Sequence, residues 1–581
     1  MILKCNNETA RHRKYVPFPL GNGDLSFQID FTGCMRQTAW PGNMVPQIYR
    51  AGIRYDDYTH RLVPFGWFDQ DFDGEVREWT QAFDTSTGLC TTHCLYEDGA
   101  VVDTEVFCHA EMNIVGIRKR ISGRDGIAIR YHVGAPRMTV APLPEIGLSF
   151  EIDTAGNPKG AIIPVTDGSG AVESDGLCVC RSAGSELACM LCFSAQDAVF
   201  ARKSGFDAIL ESSGRAWSVF WGASNLHLQD EAVLQACRTA EYHLKISTTK
   251  WSIPVGLFQT HWKGLYFGFD EYFACCGLAA TGHIKEAMHV PVFRRNTLEP
   301  SMKRAYSYFG KAGTFAKYPW VSMETPCVEG ASPGFWLEHI FHMAHIALDA
   351  KFCFDISRDI VFLRDTAYPV IRACAEFFRI QAVSLRPDGT AIISKCTDLE
   401  RLGPARENPF MTTCGAAATL RAAADSAKII GIDTEMANQW RALASKLLES
   451  LPADKDKYIP YPGCCESSVA MLSGLYPYAV LPADDKRQLA AVHDFLAREN
   501  EFGNMYPVGK GICIWYACWK ALALMRLGCR DEAWSIIRDC AAETGCFHEI
   551  FEIYETSSHP WFTTAEGIFL QAVAECSALA E

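Results

Sequence analysis

The sequence lacks several features that mark common classes of protein. Its first residues contain no apolar core of signal-peptide length, and no window reaches the roughly eighteen apolar residues of a membrane span. No basic block offsets the net charge of −14, which argues against a nucleic-acid partner. The phosphate-binding pattern GxxxxGK[ST] and a GxGxxG after a strand are also missing. We therefore expect no nucleotide cofactor, no nucleic-acid partner and no membrane partner.

Length and composition describe a globular, multidomain protein. The chain has 581 residues, which predicts two to four domains, and its hydrophobic content of 49% and charged content of 21% are typical of folded domains. The 25 cysteines are scattered through apolar runs and include the pairs Cys275-Cys276 and Cys464-Cys465. In a long chain without a signal peptide, this usage predicts reduced, buried thiols and a cytoplasmic location.

Strand-like segments fill the chain up to about residue 213. Apolar and polar residues alternate in them, and turn signals such as Asn22-Gly23 and Asp98-Gly99 separate them. These segments cover residues 25–31, 101–109, 113–121, 126–134 and 187–195. Many strands with no helices between them predict an antiparallel β-sandwich over residues 1–215. A linker over 216–250 follows, with a helix that begins near Asp230.

Helical patterns dominate the rest of the chain, residues 251–581. The predicted helices cover 270–281, 283–290, 300–312, 333–353, 357–384, 410–430, 434–451, 465–475, 484–498, 511–528, 531–543 and 563–579. Some show apolar residues on one face, as in Ala417, Leu420, Ala424 and Ala427. About twelve helices without a fixed repeat, after a sandwich and a linker helix, favour a closed toroid of helical hairpins.

One stretch near the C-terminus, FEIYETSSHPWFTTAEG, combines acids with aromatic rings just before an apolar helical run. Its members and near neighbours are Glu549, Phe551, Glu552, Tyr554, Glu555, Trp561 and Phe562. Aromatic rings stack on the apolar faces of sugar rings, and a carboxylate activates water, so the pattern suits a sugar-cleaving site. Capping acids and core aromatics would produce the same pattern, and this alternative stays open.

Two further stretches combine the same residue types. HWKGLYFGFDEYF places Trp262 and Tyr266 in a glycine-containing loop ahead of Asp270 and Glu271, which begin a helix. AKYPWVSMETPCVEG is a loop that carries Trp320 and Glu324, among other acids and aromatics. Such loops are candidate walls of a sugar subsite. For the first, a helix cap with core rings is the alternative.

Candidates for a general acid lie in the stretch SKCTDLERLGPARENPF. Asp398, Glu400 and Glu407 precede the helix that starts near Phe410. A general acid needs a raised pKa, which partial burial among apolar groups provides. The alternative is that these are solvated loop acids.

We expect no metal ion. Glu338, His342 and His345 are at helical spacings, but the set lacks a convincing further ligand.

Together these stretches resemble the glycoside hydrolases and phosphorylases built from an N-terminal β-sandwich, a linker helix and an (α/α)6 barrel. Glucoamylases, trehalases, kojibiose and maltose phosphorylases and inverting α-L-fucosidases belong to this group. Residues 19–31 resemble the start of their sandwich, and 217–230 resemble the segment before their linker helix. WKGLYFGFDEYF resembles their first barrel loop, AKYPWVSMETPCVEG a loop with Tyr-Pro-Trp followed by acids, and FEIYETSSHPWFTTAEG the segment of the catalytic base.

The resemblance implies roles for particular residues. Glu552 matches the base, and Asp270 matches an acid that binds sugar hydroxyls. The general acid is Glu400 by the match of CTDLE to glucoamylases, or Glu407 by the match of GPAREN to phosphorylases and fucosidases. Glu407 is preferred because it lies nearer the helix start. The fucosidase pattern has asparagines where this chain has Asp270, and the phosphorylases lack a carboxylate base, so the resemblance favours hydrolysis of a sugar other than fucose.

The implied activity is that of an inverting, exo-acting glycosidase on a small oligosaccharide or glycoside. One carboxyl group would protonate the leaving oxygen, and a carboxylate roughly 6.5–9.5 Å away would activate the attacking water. A disaccharide phosphorylase on the same scaffold and an inactive carbohydrate-binding protein are the alternatives. Pocket shape decides the sugar and linkage, so the sequence leaves these open, and a homo-oligomer remains open too.

Overall fold

The structure is a computed structural model of the chain. It describes residues 2–6, 15–35, 47–55, 61–71, 74–144, 146–154, 156–173, 176–258, 262–311, 314–324, 338–399, 402–498, 512–547 and 560–577. The candidate acid Glu400 and the candidate base Glu552 lie outside the described residues.

Strands make up most of the N-terminal region, as the alternating patterns predicted. They are β1 Ile2–Asn6, β2 Phe18–Gly21, β3 Leu25–Ile29, β4 Ile48–Arg54, β5 Leu62–Gln70, β6 Val76–Asp84, β7 Leu89–Tyr96, β8 Val101–Cys108, β9 Ile114–Ser122, β10 Ile127–Val133, β11 Met138–Pro142, β12 Leu148–Ile152, β13 Lys159–Thr166, β14 Ser169–Glu173, β15 Leu177–Ser182 and β16 Glu186–Cys192.

These strands form two antiparallel sheets that pack face to face. The first has the order β1-β6-β7-β8-β9-β16-β13-β12-β11, and the second has the order β14-β15-β10-β5-β4-β3-β2. In β7, Cys90 and Cys94 are buried in the core between the sheets, whereas His93 between them is exposed, because successive side chains of a strand point to opposite faces. The predicted antiparallel sandwich is confirmed.

Two helices, α1 Ala195–Ser204 and α2 Phe206–Trp221, follow the last strand of the sandwich. They cover the outer face of the nine-stranded sheet, where Phe206 and Ile209 pack against residues such as Phe107. The expectation that this region contains strands alone was wrong here, because α2 buries Phe206, Ile209, Trp217 and Phe220 at helical spacing, a pattern that the strand assignment overlooked. The predicted domain boundary after residue 215 falls inside α2.

Helices then make up most of the chain. They are α3 Glu231–Ser247, α4 Asp270–Ala280, α5 Ile284–Ala287, α6 His289–Asn296, α7 Leu298–Phe309, α8 His342–Ser357, α9 Ile360–Phe362, α10 Tyr368–Phe377, α11 Phe410–Ile430, α12 Thr434–Glu449, α13 Lys486–Arg498, α14 Ile514–Arg526, α15 Arg530–Glu543 and α16 Thr563–Ser577. Two 3₁₀ helices span Trp262–Gly264 and Val469–Leu472, and two π-helical segments span Leu363–Ala367 and Phe378–Ala382. Short strands are β17 Tyr266–Phe267, β18 Val321–Ser322, β19 Val383–Leu385, β20 Ala391–Ile393, β21 Cys396–Asp398, β22 Leu402–Arg406, β23 Ala453–Asp454 and β24 Lys457–Tyr458.

Six helical elements close into an inner ring, as the predicted toroid requires. In ring order they are α4, α8, α11, the 3₁₀ helix Val469–Leu472, α14 and α16, and α16 packs back on α4. The remaining helices return the chain along the outside. The inner helices therefore run in the same direction, and their N-terminal ends meet at one mouth. None of the helices in the described ranges is both long and apolar enough to cross a bilayer.

Two glycines allow the ring to close. A Cβ atom on Gly567 of α16 would lie 2.3 Å from the carbonyl oxygen of Phe273, and one on Gly277 of α4 would lie 2.2 Å from the carbonyl oxygen of Gly567. Both contacts are with backbone, which cannot move aside cheaply. The two helices are therefore in direct backbone contact where the ring closes.

Candidate active site at the mouth of the helical ring

At the mouth of the ring, the N-termini of the first and last inner helices lie side by side. Asp270, the first residue of α4, accepts a hydrogen bond of 2.6 Å from the hydroxyl of Thr564 at the start of α16. A carboxylate at this position is stabilised by the partial positive charge of the helix N-terminus. Asp270 is partly exposed, so a predicted sugar-binding acid lies on the rim of the mouth.

The loops that precede α4, α8, α11 and the 3₁₀ helix Val469–Leu472 are joined to one another at this mouth. Strands β17 and β18 pair, which joins the loop before α4 to the loop before α8. Glu338 accepts a hydrogen bond of 2.8 Å from the backbone of Ala405, and His339 pairs with Thr397, so the next loop is attached as well. The backbone N–H of Phe410 donates to Pro460 at 2.8 Å and continues the chain of contacts. These four loops thus form a connected part of the rim.

Several aromatic rings form a cluster next to the rim. The ring of Phe269 lies 6.3 Å from Trp320, 5.7 Å from Trp515 and 5.4 Å from Phe341, measured between centroids. These residues come from three separate inner-ring segments. Phe269, Trp320 and Phe341 are buried, and Trp515 is partly exposed, so Trp515 is the ring of this cluster that is open to the apolar face of a sugar. Trp515 did not stand out in the sequence because it lies within an apolar helical run.

Two of the predicted aromatic residues differ in exposure. Trp262 is 48% exposed and has a φ of 45°, a left-handed conformation that is rare for a tryptophan. Trp320 is only 3% exposed, and its ring meets that of His339 edge-on at 4.3 Å. Phe267 lies between them, at 6.0 Å from Trp262 and 6.1 Å from Trp320. Trp262 is therefore the more accessible of the two to a ligand.

Tyr266, Trp561 and Glu271 lie inside the barrel wall. Tyr266 is fully buried with its hydroxyl 3.0 Å from that of Thr249, and burial raises its pKa well above the ordinary value. Trp561 is 3% exposed and packs 5.6 Å from His243.

Glu271 is held by a buried ion pair. Its carboxylate accepts hydrogen bonds from the guanidinium of Arg294 and the hydroxyl of Ser252, and Arg294 also donates to Ser322 at 3.0 Å. Burial raises the pKa of Glu271, and Arg294 opposes that effect. These contacts attach α4 to α6 and β18 within the wall.

Glu324 lies on the rim and is paired with the sandwich. It is 8% exposed, and Arg54 at the end of β4 donates hydrogen bonds of 2.8 and 2.9 Å to its two oxygens. The two residues lie 270 positions apart in the sequence, so no local pattern could reveal the pair. The predicted Glu324 is thus part of an interdomain ion pair.

Asp398 anchors a hairpin at the mouth. Its fully buried carboxylate accepts hydrogen bonds from the backbone of Met411 at 3.3 Å and from the backbone and hydroxyl of Thr412 at 3.0 and 2.6 Å. It therefore caps the N-terminus of α11 from the neighbouring strand β21. Burial raises the pKa of Asp398 to about 6, against the effect of these hydrogen bonds. Glu400 comes directly after Leu399 in the same stretch of sequence.

Glu407 lies at an exposed position beside another hairpin. Its carboxylate accepts a hydrogen bond of 2.5 Å from Arg386, which is in the turn between β19 and β20. The side chain of Glu407 is 44% exposed and that of Arg386 is 49% exposed. The candidate acid that the sequence preferred is thus part of a surface ion pair.

The histidines near α8 bind backbone oxygens. His342 bonds to the carbonyl of Tyr318 at 3.0 Å, and His345 bonds to the carbonyl of Phe341 at 3.1 Å. Burial lowers the pKa of His342 well below its ordinary value and that of His345 to about 3. In the part of the chain that the structure describes, no cluster of three or more His, Cys, Asp or Glu residues could hold a metal ion.

Comparison with known proteins shows which of them resemble this chain in sequence and in fold. No protein-family model matches the chain. A curated kojibiose hydrolase from Mucilaginibacter mallensis is 24% identical over 391 residues, covering 64% of this chain and 54% of that protein. The chain thus spans about half the length of this curated relative.

Solved structures match nearly the whole chain. A protein assigned as a kojibiose phosphorylase from the human microbiome superposes with a TM-score of 0.70 at 11% identity, covering 99% of this chain and 88% of that one. A bacterial glucoamylase in complex with acarbose superposes with a TM-score of 0.60 at 11% identity, covering 99% and 98%. The chain has the fold of these carbohydrate-active proteins, and at the level of fold the resemblance inferred from the sequence is confirmed.

Proposed function

We propose that this chain is an inverting, exo-acting glycoside hydrolase that acts on a small oligosaccharide or glycoside. The observation that carries the proposal is the mouth of the ring, where the partly exposed carboxylate of Asp270 follows Phe269 of the aromatic cluster, and the rings of Trp515 and Trp262 are accessible. Carboxylates bind sugar hydroxyls, and aromatic rings bind the apolar faces of sugars. The similarity to a kojibiose hydrolase supports the same class of reaction and makes kojibiose the first substrate to test.

The proposed chemistry needs two carboxyl groups on opposite sides of the scissile bond. Glu552 removes a proton from a water molecule, which attacks the anomeric carbon from the face opposite the leaving group. A second glutamate donates a proton to the glycosidic oxygen as the bond breaks. The water and the leaving group occupy opposite faces, so the configuration inverts, and the two carboxyl groups are roughly 6.5–9.5 Å apart.

The exposed ion pair of Glu407 counts against Glu407 as the general acid. Glu407 pairs with Arg386 at an exposed surface, whereas a general acid must carry a proton before it reacts. Asp398, two positions before Glu400 in the sequence, binds the mouth end of α11. We therefore propose Glu400 as the acid, although Glu407 lies nearer to the helix in the sequence.

Four glutamine variants test these roles. Glu552→Gln and Glu400→Gln should each lower kcat by about a hundredfold or more, because each removes a proton-transfer group. Glu407→Gln and the matched neighbour Glu555→Gln should keep kcat within about threefold of the wild type. Circular dichroism spectra check that all four variants fold. Near-normal turnover by Glu552→Gln would contradict the assignment of the base, and a large loss in Glu407→Gln alone would return the acid role to that residue.

A disaccharide phosphorylase is the second candidate, and the structural similarity to a protein assigned as a kojibiose phosphorylase is the observation that favours it. The two candidates differ in the nucleophile. Product release in phosphate-free buffer is expected for the hydrolase, and release of a sugar 1-phosphate that strictly requires phosphate would establish the phosphorylase. Sugar binding without turnover in either buffer would indicate a binding protein that has kept the fold.

The proposed setting is a reducing one. The cysteines in the described ranges are free thiols, and most of them are buried. Free, buried thiols persist where the surroundings keep them reduced, which suits the cytoplasmic location predicted from the sequence. The proposed partner is a small sugar, and we expect neither nucleic acid nor membrane to be involved.

A further inference from the structure

The sandwich contacts the mouth of the barrel through one hairpin. Arg54 is the last residue of β4 and pairs with Leu62, the first residue of β5, so both lie next to the hairpin turn. Leu62 is fully buried, and its Cδ1 would lie 3.0 Å from a Cβ atom on Gly264 in the loop before α4. The end of this hairpin therefore packs directly on a loop of the rim.

Arg54 binds two rim loops at once. Its Nε donates to Oε2 of Glu324 at 2.9 Å, and its Nη2 donates to Oε1 of Glu324 at 2.8 Å. The same Nη2 donates to the carbonyl oxygen of Gly264 at 2.6 Å. The side chains of Arg54 and Glu324 are 7% and 10% exposed. Paired, fork-shaped hydrogen bonds of this kind fix direction as well as distance.

The hydrogen bond from Arg54 to Gly264 also helps to hold Trp262, the exposed aromatic residue of the rim. Gly264 ends the 3₁₀ helix that begins at Trp262, and Trp262 is 48% exposed in a left-handed conformation. A strained backbone of this kind persists only where neighbouring contacts hold it. The contact with Arg54 at Gly264 is one such contact. The carboxylate of Glu324 keeps further lone pairs that could accept sugar hydroxyls.

We propose that Arg54 is a positioning residue, through which the sandwich holds Glu324 and the Trp262 loop in the geometry that binds sugar. This inference rests on the proposed function, since it assigns the rim as a substrate-binding surface. It makes the sandwich a part of the binding site. It also means that a residue of another domain, Arg54, sets the position of Glu324.

The test compares Arg54→Met with a matched variant on the same strand. Arg50 of β4 makes a single ion pair of 3.0 Å with Asp24 inside the sandwich, so Arg50→Met removes a similar charge away from the rim. For Arg54→Met we expect KM for the cleaved disaccharide to rise about tenfold or more while kcat falls less than about threefold, because Arg54 holds binding groups and not reacting atoms. Arg50→Met should change neither constant. For Arg54→Lys we expect an intermediate rise in KM, because lysine keeps the positive charge but cannot make the paired hydrogen bonds of a guanidinium.

Hydrogen exchange gives a readout that does not depend on turnover. In Arg54→Met, exchange should speed up in residues 262–267 and 318–324 and stay unchanged in the strands of the sandwich. Unchanged exchange in both loops would overturn the proposal, and so would unchanged KM. A wild-type protein that cleaves no disaccharide would contradict the proposed function instead, and the exchange result would then decide by itself whether Arg54 holds the rim.

Discussion

Neighbouring helices of the inner and outer ring bury their residues in different ways. In the inner helix α11, nearly every residue from Phe410 to Ala427 is buried. In the outer helix α12, the buried residues Ala437, Trp440, Ala444 and Leu447 form a single stripe. The two helices follow each other in the chain and pack together. An outer helix faces solvent on one side, whereas an inner helix contacts neighbours all round, so tolerance to substitution should follow position in the ring.

Small residues allow the inner helices to approach one another. A Cβ atom on Gly415 of α11 would lie 2.9 Å from the Cβ of Ala344 in α8 and 2.9 Å from the ring of Tyr478. Three consecutive alanines, 416–418, follow and are all buried. A helix with small residues on every face packs closely against several partners at once, so the one-sided pattern of Ala417, Leu420, Ala424 and Ala427 covers only part of its buried surface.

The largest effect is expected where the ring closes. Gly567→Ala places a methyl group against the backbone of Phe273, at 2.3 Å from its carbonyl oxygen. Since two helices must move apart, we expect a loss of about 3 kcal/mol or more, seen as a fall of several degrees in the melting temperature. Ala442→Gly in the exposed part of α12 should cost only about 1 kcal/mol. If Gly567→Ala melts at the same temperature as the wild type, α4 and α16 are not in the direct backbone contact that we describe.

The alanine run of α11 tests the comparison position by position. Ala416→Leu, Ala417→Leu and Ala418→Leu should each lower stability by about 1–3 kcal/mol, because each position of an inner helix is enclosed. In α12, the exposed Ala442→Leu should stay within about 0.5 kcal/mol of the wild type. Urea unfolding followed by circular dichroism measures the differences. If one of the three α11 variants loses no more stability than Ala442→Leu, the face of α11 that carries that position is less enclosed than we infer.

Two buried acids should respond to pH in opposite directions. Burial raises the pKa of Asp349 in the inner helix α8 well above its ordinary value, with Glu271 adding to the effect. Burial would also raise the pKa of Glu376 in the outer helix α10, but hydrogen bonds from Arg379 and Trp440 bring it below its ordinary value. Asp349 therefore favours folding at low pH, an effect that is lost as pH rises. Glu376 favours folding above the ordinary carboxyl pKa, an effect that is lost as pH falls.

The variants Asp349→Asn and Glu376→Gln make this difference measurable. The stability of Asp349→Asn relative to the wild type should improve as pH rises from about 4 to 8, because the amide has no proton to lose. The stability of Glu376→Gln relative to the wild type should worsen over the same range. Melting temperatures at several pH values give both slopes. Parallel slopes for the two variants would contradict the assigned environments.

The sequence predicted the helices of the barrel better than the helices that follow the sandwich. Helix α11 was predicted at 410–430, where an apolar run ends at Gly431, whose φ of 74° forms a left-handed cap. Helices α1 and α2 were missed, although Ser194 caps α1 by accepting from the backbone of Asp197. The helical spacing of Phe206, Ile209, Trp217 and Phe220 in α2 was visible in the sequence, and the sheet face that Phe206 and Ile209 cover was not.

The candidate site was predictable only in part. The acid at the start of a helix placed Asp270 on the rim, because helix N-termini have a recognisable sequence signal. Burial could not be read from residue type, so Tyr266, Trp320 and Trp561 resembled sugar-stacking residues, yet all three are buried. The partner of Glu324 lies in another domain, and only the folded chain brings Arg54 to it.

The most direct test of the account is proton NMR of the sugar released from kojibiose in phosphate-free buffer. Kojibiose contains an α-glycosidic bond, and an inverting hydrolase releases the β-anomer of glucose first, followed by slow mutarotation. The reducing-end glucose is released as the mixture of anomers already present in kojibiose, so the excess over that mixture reports the stereochemistry. We predict an early excess of β-glucose with the wild type, no released glucose with Glu552→Gln, and the same result with and without phosphate. An early excess of the α-anomer, or turnover that requires phosphate, would contradict the proposed inverting hydrolysis.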